Sequence, residues 1–257
     1  MLFFTDIDNT VIYSHRHPHE GPAVWVEAIN GKKQSYVSER VFQFYSAKNP
    51  FRTVPLTTRA LRQYLRLWDS FAAFGWEDAL IYNGAVLLRN GVEDAAWTQE
   101  SLEISREERR ELARVRSAFE GVFGARDVVA ETPFLFYVKT DAVPEVMAWF
   151  LREADPAKIR ILRNSRRVYC IPATMSKGAA AERYRQRFGY DGFIAAGDSE
   201  FDISMLEKAD IALCPAGMSD FAARGRKLAL SGVFADRICD ELEKLAAEFA
   251  LNPALKP

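Results

Sequence analysis

Asp6 and Asp8 follow the apolar run Leu2, Phe3, Phe4, Thr5 in the string Asp6-Ile7-Asp8-Asn9-Thr10. Such a run reads as a buried strand, and residues two apart on extended backbone point the same way, so both carboxylates leave the strand end together. Like charges that close repel unless a cation joins them, and a hard divalent ion with oxygen ligands meets the need. A third carboxylate is then expected elsewhere. Asp198 supplies it, in Gly197-Asp198-Ser199-Glu200-Phe201-Asp202, after a second apolar run, Phe193, Ile194, Ala195, Ala196.

Magnesium takes one or two carboxylates and fills its octahedron with waters and substrate phosphate oxygens. Asp6 and Asp198 fit that set, with a backbone carbonyl of the first loop, that of Asp8, as a further ligand. The Asp8 side chain is then free for proton transfer. A phosphoryl group under attack also calls for a hydroxyl donor and a fixed cation. Thr57, in Thr57-Thr58-Arg59 after the apolar run 53–56, is the hydroxyl candidate, and Lys177, opening a helical pattern that Ser176 can cap, is the cation. Asp202 is spaced to orient Lys177 or a metal-bound water, with Ser199 in the same loop as a supporting group. Arg59 can hold a substrate anion or pair with an acidic neighbour.

The elements that carry these residues repeat one plan: apolar run, polar residues, helical pattern. Helices are expected over 60–68 and 203–208. Strands alternating with helices imply a mostly parallel, doubly wound sheet whose ligands bind beyond the carboxyl ends of the strands. The middle of the chain differs. Runs 86–89 and 92–97 flank Asn90-Gly91, a tight-turn signal for a hairpin. Ser105 with Glu108 resembles a capping box opening a charged helix to about residue 120. A strand over 134–139, a helix over 145–152 and a second hairpin, 159–162 with 168–171, complete an α+β unit. These readings divide the chain into a core, 1–85 plus 173–257, and an insertion, 86–172. A helix from 177 should stop at Gly189. A last one, 236–250, has Ile238, Leu242, Leu245, Ala246 and Phe249 at helical spacing. The polar stretch from His15 to Phe51 yields no assignment.

The 257 residues can bury one large core or two smaller ones, and 49% hydrophobic with 27% charged residues is ordinary for a globular protein. A net charge of -1 gives no reason to expect nucleic acid or an anionic membrane as partner. No apolar run is long enough to span a bilayer and no secretory leader is apparent, so a cytoplasmic location is expected. Cys170, Cys214 and Cys239 lack metal-site or disulfide spacing. His15, His17 and His19 alternate as a metal clamp would, but Pro18 and polar neighbours suggest an exposed loop. Arg163, Arg166 and Arg167 lie at the second hairpin turn, as a second anion grip or as solvated residues.

Taken in order, Asp6-Ile7-Asp8-Asn9-Thr10, the Thr57 segment, Lys177 and Gly197-Asp198-Ser199-Glu200-Phe201-Asp202 resemble the four motifs of the haloacid dehalogenase superfamily of phosphatases. The long insertion between the second and third, flanked by Asn83-Gly84-Ala85 and Ser176-Lys177-Gly178, is similar to the Cof-type subgroup with a large α/β cap, a neighbourhood that includes sucrose-phosphate phosphatases. The resemblance implies that Asp6 attacks phosphorus to form an aspartyl-phosphate while Asp8 protonates the leaving alcohol and later activates water. It implies magnesium as cofactor, a cap that closes over substrate, and a small phosphorylated metabolite, sugar phosphates among the candidates. Two residues depart from the pattern: Phe201 stands where Asn is common, and Thr58 where the Cof-type motif has Gly. The second leaves the phosphate-binding hydroxyl open between Thr57 and Thr58. A phosphomutase and a non-catalytic phosphate-binding module are the alternatives to a hydrolase. Oligomeric state has no signature in the sequence.

Overall fold

The computed structural model describes residues 1–19, 21–218 and 220–252, and the chain divides into two compact units, Met1–Glu93 with Lys177–Pro257, and Asp94–Ser176. The first unit opens with β1 (Leu2–Thr5), β2 (Tyr13–Ser14), β3 (Ala23–Ile29), β4 (Lys32–Ser38), α1 (Glu39–Ser46) and β5 (Arg52–Pro55). It continues through α2 (Leu61–Leu65), α3 (Trp68–Ala73), β6 (Asp78–Ile81), β7 (Val86–Arg89) and β8 (Val92–Glu93). The second unit holds α4 (Ala95–Ile104), α5 (Arg106–Phe123), β9 (Val128–Thr132), β10 (Leu135–Lys139), α6 (Val143–Glu153), β11 (Ile159–Asn164) and β12 (Arg167–Pro172). The chain then returns to the first with α7 (Lys177–Arg187), β13 (Ile194–Ala196), α8 (Ile203–Leu206), β14 (Ile211–Pro215), β15 (Arg226–Leu230) and α9 (Phe234–Leu251).

Among the described residues, the main sheet of the first unit is ordered β15-β14-β13-β1-β5, with every neighbouring pair parallel. A parallel strand covered on both faces must be apolar throughout, and Leu2, Phe3, Phe4 and Thr5 are all buried. Phe4 meets the rings of Tyr184 on α7 and Phe193 edge-on, at 5.6 and 5.2 Å. β1 and β13 are neighbours in register, Thr5 opposite Ala196, so the loops carrying Asp6 and Asp198 begin side by side. Sequence distance becomes spatial adjacency through that one pairing.

The unassigned stretch from His15 to Phe51 supplies β3 and β4, which join β2 in an antiparallel β2-β4-β3 sheet, followed by α1. β3 and β4 turn at Asn30-Gly31, both with positive φ (51° and 75°), which suits Asn and Gly. The pairing shifts register around Glu27, a bulge that turns two consecutive residues, Val26 and Glu27, inward.

In the second unit the sheet order is β11-β12-β10-β9, antiparallel. Phe136, Val138, Val168 and Cys170 on its strands pack with Val115, Phe119, Trp149 and Phe150 on α5 and α6. Arg166 pairs with Asp141 at 2.5 Å and Arg167 lies over the Tyr137 ring, so these two turn arginines are engaged within the unit.

Four local expectations need correction. β7 pairs with β6, and β7 and β8 therefore belong to the first unit, placing the boundary after Glu93 rather than after residue 85. The run 92–97 is strand only to Glu93, because the Asp94 carboxylate accepts the Trp97 N–H at 2.9 Å and starts α4. Ser105 does not cap α5; its hydroxyl donates back to the Ser101 carbonyl at 2.7 Å, as serines following a helical turn often do. The expected helix over 60–68 is two short helices, α2 and α3.

Candidate active site

Asp6 leaves β1 with its N–H donated to the Ala196 carbonyl at 2.9 Å, which ties the first loop to the end of β13. The loop then folds on itself: Val11 and Ile12 N–H groups both bond to the Ile7 carbonyl, and Asn9 takes φ 60°, a left-handed conformation Asn tolerates. Ile7, Val11 and Ile12 are buried, so the turn that presents Asp8 is anchored by its own apolar residues.

Lys177, at the first position of α7, is 1% exposed and reaches Asp6 Oδ1 at 2.5 Å and Asp202 Oδ1 at 2.6 Å. Two glycines permit this approach. A Cβ on Gly178 would lie 1.9 Å from the Ser204 carbonyl oxygen, and one on Gly197 would lie 2.3 Å from the Asp202 Cβ. Without side chains at those positions, α7 packs against Ser204 on α8 and the 197–202 loop folds back on Asp202, and the Asp202 carboxylate reaches the Lys177 ammonium. Asp202 Oδ2 in turn accepts the N–H groups of Asp198 and Ser199 and the Ser199 hydroxyl, at 3.2, 3.0 and 2.8 Å. Asp202 therefore orients Lys177 and shapes the Asp198 loop at once. Asp198 Oδ1 accepts the Thr10 hydroxyl at 3.1 Å, a direct bond between the first and last motifs.

Asp6, Asp198 and Asp202 each offer an oxygen within 4.8 Å of the others. Two unit charges at that spacing repel by roughly 3 kcal/mol even at an effective dielectric of 20. Burial pushes the Asp6 carboxyl well above the usual range; Lys177 pulls it down, while Asp202, Asp198 and Asp8 add to the rise. Asp198 is pushed up to about 6, by burial first and then by Asp202, against the Thr10 bond and Lys177. Burial works against the Lys177 charge, yet Asp202 and Asp6 outweigh it and raise its proton affinity. Three carboxylates against one ammonium leave two uncompensated negative charges, the deficit one divalent cation fills. The donor set thus fits magnesium, with Asp6 and Asp198 as the acids that would hold it, since Asp202 is already committed to Lys177 and Ser199.

Asp8 lies outside that group, which leaves its backbone carbonyl as the ligand read from the sequence. Its carboxylate is gripped at both oxygens by Arg59, Nε to Oδ2 and Nη2 to Oδ1, each at 2.8 Å. Arg59 also donates Nη1 to Glu27 Oε1 (3.0 Å), Nη2 to Glu27 Oε2 (3.1 Å) and Nη1 to the Gln63 carbonyl (3.2 Å). A guanidinium has five N–H donors, and these five bonds use them all. Of the two roles read for Arg59, the structure shows the pairing with acids. Glu27 is the member of this network that the sequence reading missed; the alternating residues of β3 ahead of Asn30-Gly31 carry the hairpin signal that would have placed it on a strand.

Thr57 is buried at the end of β5, and its hydroxyl oxygen accepts the Arg59 N–H at 3.1 Å. Thr58 is partly exposed. His15, His17 and His19 are exposed; the His17 ring stacks on Tyr13 and the His19 ring lies 4.5 Å from that of Tyr36. Among the described residues they form no three-ligand group. Cys170, Cys214 and Cys239 are free and buried.

No protein-family pattern matches the sequence, and no curated protein matches it. Solved structures do. The sucrose-phosphatase of Synechocystis sp. PCC6803, solved with sucrose and phosphate, superposes with a TM-score of 0.62 over 95% of this chain and 98% of its own, at 14% identity. A phosphatase of the haloalkanoate (HAD) enzyme superfamily from Bacteroides thetaiotaomicron superposes at 0.57, covering 95% and 94%, at 16% identity. The chain has the haloacid dehalogenase-like fold. A trehalose-6-phosphate phosphatase related protein shares that fold at a TM-score of 0.54 and 17% identity, covering 96% of this chain and 99% of that one. Haloacid dehalogenase-like architecture matches the parallel sheet and the inserted antiparallel unit, in the order the four motifs led one to expect. Among the described residues, no helix is long and apolar enough to cross a membrane.

Proposed function

We propose that this protein is a magnesium-dependent phosphomonoester hydrolase acting on a small phosphorylated metabolite. The carrying observation is the meeting of Asp6, Asp198 and Lys177 at the carboxyl ends of β1 and β13, with Asp8 two residues from Asp6 on an anchored turn. Asp6 is the nucleophile: its carboxylate oxygen bonds to phosphorus as the ester oxygen departs, and Asp8 gives that oxygen a proton. Water then attacks the phosphorus of the aspartyl-phosphate, Asp8 takes a proton from it, and phosphate leaves with Asp6 restored.

Lys177 and the Thr57 hydroxyl hold the phosphoryl oxygens, Lys177 also keeping the Asp6 carboxylate oriented. Magnesium, when bound at Asp6, Asp198 and the Asp8 carbonyl, supplies charge neutralisation for nucleophile and phosphoryl group. Asp202, with Ser199, fixes Lys177. Sugar phosphates are the first substrates to test, since the similar structures include a sucrose-phosphatase and a trehalose-6-phosphate phosphatase related protein. The inserted unit would serve as a cap that excludes water, and a cytoplasmic location accords with a metabolite substrate.

The test is phosphate release from a panel of phosphorylated metabolites with magnesium and with EDTA. Magnesium-dependent release that disappears in Asp6→Asn supports the reading. Isomerised ester without free phosphate would indicate a phosphomutase, and tight phosphate binding without turnover a binding module.

A further inference from the structure

Asp8 is half-exposed at the tip of its turn, its side chain 47% accessible, so little packing holds its carboxylate in one direction. What holds it is Arg59, and Arg59 is itself fixed from behind. Glu27 offers one carboxylate oxygen to each terminal nitrogen of Arg59, and its own side chain is only 1% exposed. Three further constraints lock Glu27. Ser35, its cross-strand partner, donates a hydroxyl to Oε2 at 2.6 Å; Arg66 on the segment after α2 donates Nε to Oε1 at 2.8 Å; and the bulge in β3 turns the residue inward.

The charges balance within the network: Asp8 and Glu27 face Arg59 and Arg66. Burial alone would raise the proton affinity of Glu27, but its bonds with Arg59, Ser35 and Arg66 outweigh burial and hold it below the usual carboxylate range. A buried carboxylate is costly unless partnered, and partnering at both oxygens leaves it one geometry. Nothing in the fold of the main sheet requires it, for Glu27 belongs to the β2-β4-β3 sheet and not to the five parallel strands.

We propose that Glu27 is a positioning residue for the phosphoryl transfer: through Arg59 it fixes the direction in which Asp8 presents its carboxyl to the leaving oxygen. This rests on the phosphatase reading above. Glu27 touches no reacting atom; it sets the plane of the guanidinium that does the aiming. A general acid contributes about 10²–10⁴-fold when aligned, and alignment matters most where the leaving oxygen needs the proton most.

The experiment compares wild type with Glu27→Gln on para-nitrophenyl phosphate and phenyl phosphate, substrates of nearly one shape whose leaving groups differ in their need for a proton. The ratio of kcat/KM values reports the steps through phosphoryl transfer and excludes later hydrolysis of the enzyme ester. Glu27→Gln is expected to lower kcat/KM on phenyl phosphate by about tenfold or more and on para-nitrophenyl phosphate by less than about threefold. An equal loss on both substrates would mark Glu27 as structural and overturn the proposal.

Should Glu27→Gln fail to fold, Glu27→Asp carries the same comparison; it keeps the charge but is one methylene too short to reach the Arg59 nitrogens from the same backbone position. Crystal structures of wild type and variant give a readout free of turnover. Arg59 displaced from the Asp8 oxygens in the variant supports the clamp, and Arg59 still bonded to both oxygens as in wild type refutes it. A wild-type enzyme that releases phosphate from neither these esters nor the metabolite panel would retract the phosphatase reading, and the crystal comparison would still decide whether Glu27 sets Arg59.

Discussion

Replacing Lys177 by Met removes the one ammonium among Asp6, Asp198 and Asp202 while keeping most of the side-chain volume. Lys177 is 1% exposed, so solvent cannot take its place, and breaking a buried ion pair by deleting one partner costs about 3–5 kcal/mol. The cost should depend on pH. Lys177 is the cation that lowers the proton affinity of Asp6, against burial and three acidic neighbours. Without it the Asp6 carboxyl rises further and takes up a proton at a pH where the wild-type group is ionised. The folded variant then binds one more proton than folded wild type, so acid favours the variant relative to wild type by up to about 1.4 kcal/mol per pH unit.

Thermal unfolding without metal should therefore show a deficit of roughly 6–20 °C near pH 8, at about 2–4 °C per kcal/mol for a chain of this size, shrinking toward pH 5. Magnesium should recover part of the lost stability at the higher pH, because a divalent ion restores compensation to the same carboxylates, but no activity. A deficit that is constant across this range, or that grows in acid, would refute the charge argument and reduce Lys177 to a packing residue.

Further outcomes follow from other contacts. Gly178→Ala places a Cβ 1.9 Å from the Ser204 carbonyl oxygen and should cost about 2 kcal/mol or more in denaturant unfolding, with activity falling as Lys177 is pushed away. Magnesium affinity measured by calorimetry should fall as pH drops below about 6, since a proton then competes for Asp198; an unchanged affinity at pH 5 would remove Asp198 from the ligand set. Asp202→Asn should lower activity while leaving the fold intact, because the amide keeps the loop bonds in part but loses its charge partnership with Lys177, and a wild-type rate would contradict that role.

The centre of the site was legible because its residues sit where chemistry and secondary structure coincide. Asp6, Thr57 and Asp198 each follow an apolar run that can only be an interior strand, and parallel pairing of β1 with β13 and β5 brings those strand ends together. Lys177 was legible by its order after the insertion. Glu27 was not, because a glutamate in a polar stretch reads as solvated; only the bulge in β3 and the three partners waiting inside make its burial sensible. Arg59 was ambiguous in sequence for the same reason, since the donors of a guanidinium can be counted only when their acceptors are in place. The boundary near 86–93 was misread because a hairpin signal names a turn but not the strand it joins, and β7 joins β6.

The most direct measurement is to quench the enzyme during magnesium-dependent turnover of a phosphate ester and locate the phosphoryl group by peptide mass spectrometry, with hydroxylamine sensitivity to identify an acyl phosphate. Label is expected on Asp6, and lost in Asp6→Asn. Turnover with label on another residue, or with none on Asp6 under any quench, would contradict Asp6 as the nucleophile.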